Sequence, residues 1–370
     1  MNRLRLFAPV MSGCLLLSLT PAMTSPSRDA HIGSITASAS MLEPRSGHSA
    51  TLLPDGRVLV AGGMRRNQNF YRSAELFDPA TKKFEPTDSM TEARVGHIAV
   101  LLRSGKVLIA GGWIGKETTA SAELYDPATR KFSRITSMTS RRGRPTATML
   151  NDGDVLIVGG EDHDGPNSSL SSAEIFHAAT MTFEPTTPMH QPRIAHTATL
   201  LKDGRVLIAG GKGGSVKASA EIFDPKKKSF SETGSLATAR YKATAALLTD
   251  GRVLIAGGSD ERDWTGNLRS AEIYDPRTGR FHPTSELENA RFKLPDEAVR
   301  LANGAVLIAG GSRQAEIYIP ESGTFKTVPG AMSENWHYMS ETLLKDGSVL
   351  LAGGYPNSDR ATGETWIYRP

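Results

Sequence analysis

The stretch Asp203-Gly-Arg-Val-Leu-Ile-Ala-Gly-Gly211 recurs unchanged at Asp250–Gly258. Close variants end in Gly-Gly at 62–63, 111–112, 159–160, 310–311 and 353–354, so the seven copies follow one another at steps of 49, 48, 51, 47, 53 and 43 residues. A period near 50 residues marks one supersecondary unit repeated along the chain. Seven such units without linkers argue for one closed domain rather than the two or three that 370 residues can otherwise hold.

Each unit reads M-x-x-x-R-x-x-H-x-A-x-L-L-x-D-G-x-V-L-I-A-G-G, then a variable loop, A-E-I-Y-D-P and F-x-P-T-x-x-M. Four short strands follow from that pattern. The first, as in His48 to Leu53, alternates apolar and small polar residues. Asp-Gly, Ser-Gly or Asn-Gly then turns the chain, because glycine accepts the positive φ of a tight hairpin. The second, as in Val206 to Ala209, is apolar on both faces and so must be buried on both. The third carries one ring per unit: Phe77, Tyr125, Phe176, Phe223, Tyr274, Tyr318 and Tyr368. The fourth opens with Phe84, Phe132, Phe183, Phe230, Phe281 and Phe325. These thirteen rings are the expected core between neighbouring sheets.

The seventh unit ends at Pro370, after its third strand. Ile35 to Met41 matches the fourth-strand register of Phe132 to Met138, and Met41 to Arg45 then repeats the Met90 to Arg94 step. The expected fold is therefore all-β: a seven-bladed propeller over residues 33–370, closed by an N-terminal strand that completes the last blade and removes exposed sheet edges.

Residues 1–22 read as a secretory signal peptide, with Arg3 and Arg5, an apolar run from Leu6 to Leu19, and small residues at Thr20-Pro21-Ala22. Residues 23–32 read as a flexible leader. Met11-Ser12-Gly13-Cys14 loosely resembles a lipoprotein box, but the apolar run continues past the cysteine, so a secreted or periplasmic protein is expected rather than a lipidated one. Loss of Arg3 and Arg5 lowers the formal charge from +4 to +2. That balance gives no reason to expect nucleic acid or a membrane as partner. A monomer with no transmembrane anchor is the expectation.

With its paired glycines and in-register rings, the chain resembles secreted bacterial kelch-repeat proteins and is similar to the central propeller of galactose oxidase-like proteins. That resemblance covers copper oxidases, mutarotases and binding modules, so it does not choose a function. Copper-radical chemistry would need a tyrosine crosslinked to cysteine. The only cysteine, Cys14, lies in the segment expected to be removed. Trp336-His337-Tyr338 stands where those oxidases carry a Tyr-His pair, in a different order, and no cofactor or metal is expected.

Strand order places the loops after each Gly-Gly and the segments entering each first strand on one face. Six units carry an arginine there (Arg45, Arg94, Arg142, Arg193, Arg240, Arg291), and six carry a glutamate at the third strand (Glu75, Glu123, Glu174, Glu221, Glu272, Glu316). The seventh loses both, to Trp336 and Trp366. Joint loss predicts that the two positions pair. His48, His97 and His196 are expected to be hydrogen-bonded packing residues. The acidic loops Glu161–Asp164 and Asp260–Asp263 are expected to be solvated.

Ten aromatics fall outside the repeated core and the leader, mostly on this face. Beside basic residues they suit sugars or peptides. The expected ligand-binding set is Trp113, Trp264, Phe292, Lys293, Trp336, His337, Tyr338 and Tyr355, centred on units six and seven. There the loop after Gly311 shrinks to three residues and the entry segment gains two. The expected function is recognition of an extracellular glycan, peptide or protein. The alternative is a carbohydrate-active enzyme, mutarotase- or lyase-like, using Glu297 or Glu341 as acid/base beside His337.

Overall fold

In a computed structural model, seven four-stranded antiparallel sheets account for almost all regular structure; the residues described are 32–66, 69–165, 167–356 and 360–370. The signal peptide expected at 1–22, with Cys14, and all but the last residue of the leader expected at 23–32 lie outside them. The first sheet shows the pattern: Ser49–Leu52, Val58–Ala61, Ala74–Asp78 and Lys83–Pro86, each hydrogen-bonded to the next. The first strand of every sheet touches the first strands of both neighbours, and Ser49–Leu52 touches Ser340–Leu343, so the ring closes about an axis. Among the described residues the only helical element is a short 3₁₀ turn, Asp263–Thr265, in the loop of the fifth blade.

Closure occurs as the register predicts. Ser34–Ala37 pairs antiparallel with Thr365–Arg369, and Ile35 stands opposite Tyr368. In the second blade Phe132 stands opposite Tyr125 in the same way. The six blades with a fourth-strand phenylalanine hold the two rings 4.8–4.9 Å apart, tilted. The second strands Val58–Ala61, Val107–Ala110 and Val206–Ala209 are buried throughout. One cluster joins Leu59 and Leu76 of the first blade to Val107, Ile109 and Tyr125 of the second, so the apolar core lies between blades rather than within them.

The Gly-Gly pairs are required by packing. A Cβ on Gly62, at φ +64°, would lie 2.6 Å from the Arg94 carbonyl oxygen and 2.8 Å from His97 Cε1. Neither contact is sterically allowed, and the left-handed backbone adds strain for any other residue.

All six arginines are buried and paired. Their nitrogens lie 2.5–3.1 Å from the repeat glutamates. Arg193 shows what each pair does. It donates to the carbonyls of Gly210 at 2.7 Å and Ser219 at 2.8 Å, and to the Ser219 hydroxyl and Glu221. Glu221 in turn accepts the His190 backbone N–H at 2.8 Å. The pair therefore bolts the Gly-Gly bend, the third strand and the entering segment together through charge-assisted hydrogen bonds, with only Arg193 Nε left without a partner. These arginines cannot reach a ligand. In the seventh blade Trp336 and Trp366, both buried, replace the pair with rings 6.1 Å apart. This corrects the expectation that Trp336 contacts ligand: it belongs to the frame.

The repeat histidines also join blades. His48 Nε2 bonds Ser340 Oγ at 2.9 Å, His97 bonds Ser49 at 2.9 Å and His196 bonds Thr146 at 2.8 Å. Burial, then the neighbouring arginine charge, draws each down to about 3, so all three stay neutral.

Candidate functional site

Two residues after each arginine, and after Trp336 in the seventh blade, the backbone turns left-handed. The residues are Gly47, Gly96, Arg144, Ala195, Lys242, Lys293 and Tyr338, with φ between +48° and +61°. Backbone hydrogen bonds pass from blade to blade along this ring: Gly47 N–H to Tyr338, Gly96 to Gly47, Arg144 to Gly96, Lys242 to Ala195 and Tyr338 to Lys293, at 2.9–3.1 Å. This belt frames the axial mouth on the loop face. Glycine holds such a conformation without strain. Arginine, lysine and tyrosine do so at a cost of about 1–2 kcal/mol each, and strain of this kind collects at functional sites. Sequence reading picked out Lys293 and Tyr338 but missed Arg144 and Lys242. The glycines at 47 and 96 were the available signal that the position is left-handed.

Around the mouth the blades differ. Trp264, carried on the 3₁₀ turn, is 43% exposed. It packs edge-on against Phe292 and His337, with ring centroids 5.1 and 5.2 Å away. Phe292 and His337 are themselves buried, so they support Trp264 rather than face solvent. Lys293 Nζ lies 3.3 Å from the centre of the Trp264 ring and donates to the Tyr355 hydroxyl at 2.9 Å. No described carboxylate lies within salt-bridge distance of Lys293. Burial first, then the charge of Lys242, draws its ammonium down to about 7. Tyr338 stacks on Tyr355 with centroids 6.0 Å apart. The structure therefore gathers Trp264, Phe292, Lys293, His337, Tyr338 and Tyr355 into one wall.

Trp113 stands apart from that wall. Its indole N–H donates to Glu161 at 2.9 Å, and it lines a cavity of about 640 Å³ with Phe70, Arg144 and Tyr338. Glu161 and Asp263, expected to be solvated, are anchors instead. Glu161 is buried and lies 3.5 Å from Arg144. Asp263 accepts from Tyr241 at 2.5 Å and from Lys242 at 2.7 Å, which fixes the turn that presents Trp264.

Below the mouth a second cavity of about 360 Å³ is lined by Arg144, Lys242 and Tyr338, and also by Asp296, Glu297 and Glu341. A third, about 730 Å³, shares Glu297 and Glu341 and is walled by first-strand residues of six blades. Strand pairing places Glu341 level with Ala50, Ala99, Ala147, Ala198 and Ala245 of other blades. The two-residue insertion explains part of this exception. It leaves the sixth blade's first strand with only two paired positions, Val299–Leu307 and Arg300–Val306. Glu341 Oε1 then accepts the Ala309 N–H at 3.0 Å. Its other oxygen, Oε2, is buried without a hydrogen-bond partner. Burial pushes the Glu341 carboxyl up to about 8. Asp296 rises to about 7 through burial and then the Glu297 charge, and Glu297 rises through burial. His337, the third member of the acid/base alternative, lines neither cavity.

No group of three His, Cys, Asp or Glu side chains able to hold a metal occurs among the described residues. With the repeat histidines committed to neighbouring blades, these residues do not fit a copper centre of the oxidase kind. No described helix is long and apolar enough to cross a membrane.

Comparison with known proteins agrees with the architecture. Residues 28–211 match the family described as KLHDC2/KLHL20/DRC7 Kelch-repeats domain, and residues 240–288 match the Kelch motif. The chain is a seven-bladed kelch β-propeller. Among solved structures, this propeller is similar to one titled "Novel fungal alcohol oxidase with catalytic diversity among the AA5 family, in complex with copper". The TM-score is 0.73 at 15% identity, over 92% of this chain and 76% of that one. At that identity the likeness is one of fold. No curated protein sequence matches the chain. Kelch propellers commonly serve as interaction modules.

Proposed function

We propose that this propeller is an exported binding module that takes an extracellular glycan, peptide or protein at the axial mouth of its loop face. The observation that carries the reading is the placement of Arg144, Lys242, Lys293 and Tyr338 on a strained belt around the mouth, beside the half-exposed Trp264. Aromatic faces next to cationic groups suit ligands with apolar patches and polar or anionic substituents. Trp264, Tyr338 and Tyr355 supply the contact surface, Phe292 and His337 hold it in place, and Trp113 flanks the adjoining cavity.

The test is a binding screen of glycan and peptide arrays with the full chain, repeated with Trp264→Ala. A ligand whose affinity falls by about tenfold, as truncation of an exposed aromatic anchor predicts, supports the assignment. Tight binding indifferent to Trp264→Ala and to Lys293→Ala places recognition elsewhere.

A second reading has its own support. Glu341 holds a proton near neutrality beside Glu297, a state suited to a general acid acting on a sugar. Turnover of a sugar that disappears in Glu341→Gln while binding persists would favour the enzyme.

A further inference from the structure

The cavity of about 360 Å³ beneath the mouth is electrically divided. Arg144 and Lys242 line it on the belt, and Asp296, Glu297 and Glu341 line it as well, one of them at a position that is alanine in neighbouring blades. The two sets do not neutralise one another: among the described residues no salt bridge joins any of the three acids to a cation, and Lys242 pairs instead with Asp263. The one carboxylate that Arg144 meets, Glu161, is 3.5 Å away, leaving most of its five N–H donors unspent. Glu341 Oε2, buried and unpartnered, is the matching vacancy among the acids. Its other oxygen already accounts for the structural need of the Ala309 N–H.

We infer that this cavity binds a small zwitterion, a free α-amino acid or a dipeptide, with its carboxylate on Arg144 and its ammonium among Asp296, Glu297 and Glu341. A guanidinium receives a carboxylate through two parallel hydrogen bonds. An ammonium offers three donors to acids that lack cationic partners. The volume lies in the range of small-molecule sites. The inference rests on the binding-module reading and names the ligand class of its mouth.

The test is calorimetric titration of the full chain with the twenty free amino acids and dialanine. Each binder is compared with its amide, which lacks the carboxylate, and its des-amino acid, which lacks the ammonium. At least one zwitterion binds, and removing either charge weakens it by about thirtyfold or more, the effect of truncating one side of a buried charge pair. Arg144→Gly and Glu341→Gln weaken it comparably. Both variants keep the fold: glycine occupies the Arg144 position in two other blades, and glutamine still accepts the Ala309 N–H.

Binding also releases protons near pH 7, read as dependence of the heat on buffer ionisation enthalpy, because an incoming ammonium ionises the acids. Among the groups lining the cavity, Asp296 and Glu341 are the ones that burial raises to about 7 and about 8, and Glu341→Gln reduces the release, which separates it from proton exchange at Lys293 on the belt. Failure of all zwitterions, or equal binding of the amide or des-amino compound, overturns the inference. If arrays yield a ligand sensitive to Trp264→Ala while no zwitterion binds, this inference falls and the binding module stands. If neither assay yields a ligand, both fall.

Discussion

Blades one to five and blades six and seven use the same backbone for different ends. In the first group the arginine–glutamate bolt, the ring pair and the axial alanine repeat almost without change. In the second, the sixth blade keeps its bolt but shortens its first strand, and the seventh exchanges the bolt for Trp336 and Trp366. Glu341 then replaces alanine and carries an N–H that the shortened strand leaves unpaired. Departures in one blade are thus answered in the next. What no packing need explains is the second oxygen of Glu341, the strained Lys293 and the exposed Trp264. Repetition here marks the frame, and its breakdown marks the site.

The largest effect that can sharpen this contrast is loss of a bolt. Arg193→Ala leaves Glu221 buried beside an empty space and should destabilise the propeller by about 3–5 kcal/mol, measured by denaturant unfolding. A loss within about 0.5 kcal/mol, the range of an ordinary surface change, would show that the bolts are not structural.

Glu341→Gln tests the other side. A carboxyl whose folded pKa is raised binds a proton that the unfolded chain gives up, so stability falls as pH rises from the ordinary carboxylate value near 4.5 towards about 8. Glutamine removes that loss. The variant should match the parent at pH 4 and exceed it by roughly 1–3 kcal/mol at pH 9, read from unfolding curves at the two pH values.

The smallest effect is expected at the belt. Arg144→Gly relieves about 1 kcal/mol of left-handed strain while surrendering the long contact to Glu161. Its melting midpoint should hold or rise slightly. A clear fall would mean that Arg144 is retained for packing.

Much of the frame was legible because it is periodic. The Gly-Gly spacing, the seven third-strand rings and the joint loss of arginine and glutamate in the last unit each repeat a physical requirement often enough to be read. The match of Ile35 to Met41 with Phe132 to Met138 placed the closing strand on the same basis, and the structure sets Ile35 opposite Tyr368. The site was read only in part. Lys293, Tyr338 and Trp264 stood out as departures, but Trp336 was expected to contact ligand although Trp366 already stands at the lost glutamate's position in the sequence; the burial of the two rings against each other sets Trp336 in the frame. Arg144 and Lys242 were passed over because their position holds Gly, Gly, Arg, Ala, Lys, Lys and Tyr, a series unified by backbone conformation rather than chemistry. Glu161 and Asp263 looked like solvated loop charge because their partners, Trp113 and Tyr241, come from neighbouring segments of the ring.

The division between frame and site is tested most directly by one paired experiment, the unfolding free energies of Arg193→Ala and Glu341→Gln at pH 9. The account predicts opposite signs, with the first variant less stable than the parent and the second more stable. A Glu341→Gln protein that is also less stable at pH 9 would contradict it, since the carboxylate would then belong to the frame.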